Sequence, residues 1–249
     1  MNAIEKNQYL MKLMLVLARD LQAMQGRVRS VRFIREYAAA PENLGVYTLS
    51  QMNEAELLAL AESVGIKKTP SHAKSDVYLN DLGYSLQSFA AYPPVLIDGA
   101  TRADFAAVCE RLHLAIEPFD EIVHTYWTLR EGGIIGEEVG NSDPLSPFRA
   151  HKELFLPALS YFLFTGTAKG PSHFPADCVL DFTEPCNMNT WITYEKDEAI
   201  ELLWDRLAFS IVPLPSSGSE HNATSESGRS WTRLIDGKHA GALYIRATV

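Results

Sequence analysis

One stretch of this chain leaves little choice of local structure. Asp76-Val77-Tyr78-Leu79, then Asn80-Asp81-Leu82-Gly83, then Tyr84-Ser85-Leu86-Gln87-Ser88 places β-branched and aromatic residues on both sides of a turn-forming cluster. That pattern reads as strand, tight turn and strand. Ser85 and Gln87 lie two residues apart, so the period of a strand points both to one sheet face, where they can face Asp76. Three polar side chains then meet at one end of a hairpin. Hard oxygen ligands converging on a point are what a metal ion needs in order to polarise a phosphate and activate a water.

The chain before the hairpin reads as helical. Apolar residues from Ile4 to about Met24 recur at helical spacing, with Gly26 as a stop, and a second helix is predicted from Arg27 to Ala39, ended by Pro41. Asn53 stands three residues before Glu56, a capping-box pattern that opens a helix through Ala61, and Gly65 lies just past its end. Beyond the hairpin, Thr101 with Asp104 caps a helix to about Leu112. Further helices are predicted over Glu117–Arg130, Pro147–Phe164 and Glu195–Leu207. Short strands are predicted at Cys178–Phe182, Trp191–Tyr194 and Phe209–Val212. Pro213 to Gly228 is polar and Ser-rich and reads as a loop, and Ser230–Ile235 with Ala242–Ala247 around Asp236-Gly237 reads as a closing hairpin.

With 249 residues, 47% of them hydrophobic, the chain is long enough to bury a sizeable core. The organisation expected is one mixed α/β domain over 1–249, a mixed central sheet flanked by helices. Within it, 1–70 is mostly helical and 71–249 carries the chemistry. Leu13 to Ala18, the longest apolar stretch, is bracketed by Lys12 and Arg19 and falls far short of the roughly 20 apolar residues that span a bilayer. With no basic region followed by an apolar run at the start, the cytoplasm is the default expectation. Cys109, Cys178 and Cys186 show no close zinc-type spacing and read as buried thiols. The seven histidines form no zinc-hydrolase pattern.

The net charge of −9 excludes a protein that coats nucleic acid through bulk charge. Residues 1–35 run the other way, with Lys6, Lys12, Arg19, Arg27, Arg29, Arg32 and Arg35 against Glu5 and Asp20. That segment can form either a local basic face or a solvated helical face.

Asp76, an eight-residue interval and Ser85-Leu86-Gln87 have the spacing of the PD-(D/E)xK nuclease motif. The longer text from Lys74 to Ser88 resembles type II restriction endonucleases whose second strand reads Gly-aromatic-Ser-Ile-Lys-Ser. The Pro-Pro-Val-Leu-Ile run at 93–97 and the Thr101-Arg102 pair resemble the segment that follows. The likeness covers about residues 70–112. It implies a restriction-endonuclease-like fold, a Mg²⁺ cofactor bound by Asp76, and sequence-specific hydrolysis of duplex DNA. Catalytic roles would fall to Asp76, Ser85 and Gln87. Here Ser75 replaces the motif's Pro, Ser85 its second acid and Gln87 its Lys, so a charge beside the scissile phosphate is missing and attenuated cleavage is expected. Glu36 or Glu42 is a candidate for a further acidic ligand.

Candidate DNA contacts are Lys74, Arg102, Lys169 in the small-residue loop 164–172, and Arg229, Arg233 and Arg246 near the last hairpin, Arg being suited to bidentate contact with guanine. A homodimer stays open as the assembly. So do two other classes of function: a nuclease-derived DNA-binding protein that no longer cuts, and a bacterial interaction protein with no nucleic-acid role.

Overall fold

The computed structural model describes residues 1–21, 28–42, 44–213, 231–235 and 237–248. The chain is of mixed α and β class and gathers into two compact units. One comprises Met1–Tyr92, Phe164–Gly166 and Pro171–Lys196, the other Pro93–Leu163, Thr167–Gly170 and Asp197–Val249.

In the first unit, helix α1 (Ala3–Asp20) opens on a capping box in which Asn2 accepts from the Glu5 N–H and Glu5 accepts from the Asn2 N–H. Every residue from Leu10 to Ala18 is buried, Lys12 included, so the middle of α1 is covered on all sides. Met24 and Gly26, the predicted end of this helix, lie outside the described residues. Strand β1 (Val31–Arg32) follows, then helices α2 (Val46–Gln51) and α3 (Glu54–Ser63). The α3 capping box forms as expected, between Asn53 and Glu56.

The helix predicted over Arg27–Ala39 is overturned. Within its described part, Val31 and Arg32 pair antiparallel with strand β2 (Val77–Leu79), Val31 opposite Leu79 and Arg32 opposite Tyr78. Val31 and Phe33 both enter the core with exposed Arg32 between them, the period of a strand.

Strand β3 (Leu82–Gln87) returns antiparallel to β2, and later in the chain β8 (Cys178–Phe182) lies parallel to β3 with β9 (Trp191–Glu195) antiparallel beyond it. The resulting five-stranded mixed sheet has the order β1-β2-β3-β8-β9. Val77, Leu79, Leu86, Leu180 and Phe182 join the buried residues of α1, Leu49 of α2, and Leu57 and Ala61 of α3 in one apolar cluster. Burial of this kind contributes about 25 cal/mol per Å² of apolar surface and is what holds the helices to the sheet.

The turn between β2 and β3 is two residues long. Asn80 and Asp81 have φ of 51° and 71°, the left-handed pair that a tight hairpin requires and that Asn and Asp tolerate. Asn80 Oδ1 also accepts from the N–H groups of Arg29 and Ser30, which ties the turn to the chain before β1.

The second unit is built on β4 (Val95–Thr101), β5 (Glu138–Gly140), β10 (Leu207–Pro213), β11 (Arg233–Ile235) and β12 (Lys238–Ala247). The order is β11-β12-β10-β5, and β4 also pairs with β12. Helices α4 (Arg102–Arg111), α5 (Glu117–Glu131), α6 (Lys152–Ser160) and α7 (Lys196–Trp204) accompany it, α7 beginning at the last residue of the first unit. The α4 capping box is the predicted one, between Thr101 and Asp104.

The single helix predicted over Pro147–Phe164 is instead broken into a 3-10 turn at Arg149–His151, α6, and a π-helical turn at Tyr161–Thr165. Pro157 lies inside α6, where it removes a backbone donor. Strands β6 (Gly166–Thr167) and β7 (Gly170–Pro171) bracket a turn that holds Lys169. The core here is aromatic. Phe148 stacks on Phe209 with centroids 4.3 Å apart, and Phe105 meets Phe119 edge-on at 5.0 Å. The loop expected over Pro213–Gly228 lies, apart from Pro213, outside the described residues, as do Ser230 and Asp236 of the closing hairpin. Its described strands pair Arg233 with Ala240 and Ile235 with Lys238.

Gly83 is the glycine on which the hairpin turns sterically. A Cβ at this position would stand 2.3 Å from Ser75 Oγ and 2.8 Å from the Pro175 carbonyl oxygen, and the latter is backbone that cannot rotate away. Gly83→Ala is therefore expected to cost about 1–3 kcal/mol, the range for forced overpacking. Urea unfolding of the variant checks this, and an unchanged midpoint would contradict the close approach.

Candidate functional site

The predicted catalytic residues, Asp76, Ser85 and Gln87, all lie in the first unit. Asp76 sits immediately before β2, where its N–H donates to the Tyr84 carbonyl as the last backbone bond between β2 and β3. Beyond that point the Asp76 side chain continues the ladder. Its Oδ2 accepts from the Leu86 N–H at 2.8 Å, and its Oδ1 accepts from the Thr69 hydroxyl. Asp76 is 9% exposed. Ser85 and Gln87 share a face as the strand period requires, and the Gln87 amide donates to Ser85 Oγ at 2.7 Å. Asp76 is joined to that pair through the backbone of Leu86, the residue between them. Ser75, where the nuclease motif has Pro, donates to the Pro175 carbonyl. Asp177 and Asp181, from beside and within β8, accept from the N–H groups of Gly83 and Phe89 and so brace the two ends of β3.

The residue that the sequence did not single out is Lys12. It is 3% exposed in the middle of α1, and its ammonium donates to Thr69 Oγ1 at 2.7 Å and to the Lys67 carbonyl at 3.0 Å. Thr69 thus accepts from Lys12 and passes its own proton to Asp76, making a continuous chain from ammonium through hydroxyl to carboxylate. Burial pushes the Lys12 ammonium below the ordinary lysine range, and the Asp76 charge opposes that shift. A pocket opens beside this chain, lined by Lys12, Arg35, Lys67, Lys68 and Asp76 among others. Its charged rim therefore holds four cations to one acid. Lys68 is also engaged by Glu5.

Glu36 and Glu42 are exposed and neither lines this pocket. No group of three His, Cys, Asp or Glu side chains among the described residues is placed to hold a metal. The donor set for Mg²⁺ is thus Asp76 alone. A carboxylate has about four lone-pair positions. Thr69 and Leu86 occupy two of them, which leaves acceptor capacity on each oxygen. One carboxylate lies within the range Mg²⁺ uses when phosphate and water supply the remaining ligands. The residues fit the ion in that minimal sense.

The predicted DNA contacts are mostly held within the protein. Arg246 makes a bidentate pair with Glu138 at 2.6 and 2.8 Å, and Arg102 makes one with Asp120 at 2.6 and 2.8 Å. Asp120 also accepts from the indole N–H of the fully buried Trp231, which anchors the pair to the aromatic core. Arg233 pairs with Glu131 at 3.4 Å. Lys169 is exposed on its turn, while Lys74 is half-buried and burial lowers its pKa. Arg229 lies outside the described residues. Neither a protein-family model, nor a curated protein, nor a solved structure matches the chain.

The lowered pKa of Lys12 has a definite sign in stability. Below its folded pKa, both folded and unfolded chains hold the proton and the burial penalty is fully present. Above the ordinary lysine value of about 10.4, both have lost it. Between those limits the unfolded chain binds more protons, so stability rises with pH there. The stability of Lys12→Met relative to the parent should accordingly fall as pH is raised across that window. Urea melts at a series of pH values up to about 10.4 measure it, and a difference independent of pH would contradict a protonated, desolvated Lys12.

Proposed function

We propose that this chain is a Mg²⁺-dependent deoxyribonuclease of the restriction-endonuclease kind, hydrolysing phosphodiester bonds of duplex DNA at Asp76. The observation that carries the reading is the attachment of the Asp76 carboxylate to the Leu86 N–H. It fixes Asp76 to the strand bearing Ser85 and Gln87, beside a pocket whose other charged lining residues are cations. The parallel β3–β8 pair within a mixed sheet, with helices packed on it, is the setting that the PD-(D/E)xK resemblance implies.

In this reading Asp76 would hold the ion, which when bound polarises the phosphate and lowers the pKa of an attacking water. The protein's own part is positioning and charge. Thr69 and Leu86 fix the carboxylate by two hydrogen bonds, so its orientation costs no reorganisation when DNA arrives. Gln87, held by Ser85, presents an amide dipole and no charge. Arg35, Lys67 and Lys68 give the phosphate backbone a local positive field that the net charge of −9 does not reveal. Double-stranded DNA is the partner, the cytoplasm the setting and a homodimer the assembly to test. No helix among the described residues is long and apolar enough to cross a membrane.

Incubation with plasmid and phage DNA, with and without Mg²⁺, tests the reading, and sequencing the fragment ends gives the recognised site. Asp76→Ala is expected to abolish Mg²⁺-dependent cutting while DNA binding, read by gel shift, persists and weakens as salt rises. Unchanged cutting by Asp76→Ala, or no cutting by the parent chain on any DNA, would overturn it.

A further inference from the structure

The chain that leaves β1 closes on itself beside the sheet. The Tyr37 hydroxyl donates back to the Val31 carbonyl at 2.8 Å and accepts from Arg19, and the Tyr37 ring meets Phe33 edge-on at 5.0 Å. Just beyond, the Ala38 N–H donates to the Val64 carbonyl at 2.8 Å, so both ends of the loop are held. Residues Arg32 to Tyr37 line an open concavity of about 440 Å³. That volume is within the roughly 300–1,000 Å³ of small-ligand sites. The two arginines on this lining are placed unlike Arg102, Arg233 and Arg246. Arg32 and Arg35 are exposed, and neither is paired with a carboxylate among the described residues. Arg32 instead lies over the ring of Tyr78, its partner across the β1–β2 ladder, with the guanidinium carbon 4.0 Å from the ring centroid.

We propose that this concavity binds a single nucleotide, its base stacked on the Arg32 guanidinium and its phosphate paired with Arg35. Asp76 is not on the lining, so the site is separate from the one assigned to hydrolysis and does not depend on the nuclease reading. A guanidinium is planar and weakly hydrated, and it stacks on π-faces. Tyr78 covers one face of Arg32, and a base settling on the other completes a three-layer stack whose middle member is already in place. Ordering a long, mobile side chain is a cost of binding that the Tyr78 contact reduces in advance. Arg35, three residues on, offers a fork of N–H groups that matches a phosphate bidentately. Phe33, Ile34 and Tyr37 supply apolar wall for the rest of the base and the sugar. Glu36 is the acid of the lining, which leaves it one positive charge ahead and suits one phosphate ester better than a triphosphate. The same chemistry is presented by a free mononucleotide and by an unpaired nucleotide of a strand, whereas a base stacked inside a duplex has no free face to offer.

The test is calorimetric titration of the full chain without Mg²⁺, using deoxyadenosine monophosphate, deoxyadenosine and inorganic phosphate as separate probes, with the folding of each variant checked by thermal melts. The mononucleotide is expected to bind about tenfold or more tightly than inorganic phosphate, since one stacked base is worth roughly 5- to 150-fold in affinity. Arg32→Lys keeps the charge and loses the plane. It should weaken the mononucleotide by about tenfold and leave inorganic phosphate unchanged, a split that charge attraction alone would not produce. Arg35→Gln should weaken both, and Asp76→Ala should weaken neither. A single-stranded oligonucleotide of about ten residues distinguishes the sources. Tighter binding than the mononucleotide, lost by the same factor in Arg32→Lys, assigns an unpaired nucleotide of a strand, and equal or weaker binding assigns the free mononucleotide. No heat from the mononucleotide at millimolar concentration, equal affinity for mononucleotide and inorganic phosphate, or parent affinity in a folded Arg32→Lys would overturn the proposal while leaving the nuclease reading untouched. Should Arg32→Lys fail to fold, Arg35→Gln decides, because unchanged mononucleotide binding there would equally overturn it.

Discussion

The chain of hydrogen bonds from Lys12 through Thr69 to Asp76 is the constraint on which the first unit depends. It joins three pieces of sequence: the buried middle of α1, the segment after α3, and the start of the β2–β3 hairpin. A buried ammonium without partners would carry a penalty of several kcal/mol, and so would an unpaired buried carboxylate. Each is tolerable because the other is near and because Thr69, able to accept and donate at once, passes one to the other. Replacing Thr69 by a residue of the same shape without a hydroxyl would leave both ends short of a partner. The apolar cluster around α1 supplies most of the stabilisation.

Much of that architecture could be read from the sequence, for reasons that are local. The hairpin depended on Asn80 and Asp81 tolerating a left-handed turn, and the α3 and α4 starts on capping boxes within four residues. The failures came where distant pairing decided. Arg27–Ala39 has apolar residues that suit a helix, yet Val31 meets Leu79 of β2 and the sheet takes the segment. The predicted run from Pro147 to Phe164 hid a proline in mid-helix and a π-helical turn.

At the site, Asp76, Ser85 and Gln87 stood out because their spacing is short and periodic. Lys12 did not, since on a helix of alternating character a single lysine reads as a solvent-facing residue. Its burial is fixed by what packs around it: α2, α3 and the sheet. The arginines are the converse case. Arg102 and Arg246 looked suited to guanine by residue type alone, but their carboxylate partners, Asp120 and Glu138, are 18 and 108 residues away in sequence.

The two kinds of cation differ in what they can offer to a polyanion. An arginine already held in a bidentate pair must give up that pair before it can contact a base or a phosphate, and the loss offsets most of the gain. Lys12 faces a different balance. Its desolvation was incurred on folding, and Thr69 and the Lys67 carbonyl fix its direction. The same low-dielectric surroundings that depress its pKa strengthen its attraction for an anion. On the nuclease reading, a chain of net charge −9 would therefore recognise DNA through a small basic concavity, while repelling the polymer elsewhere.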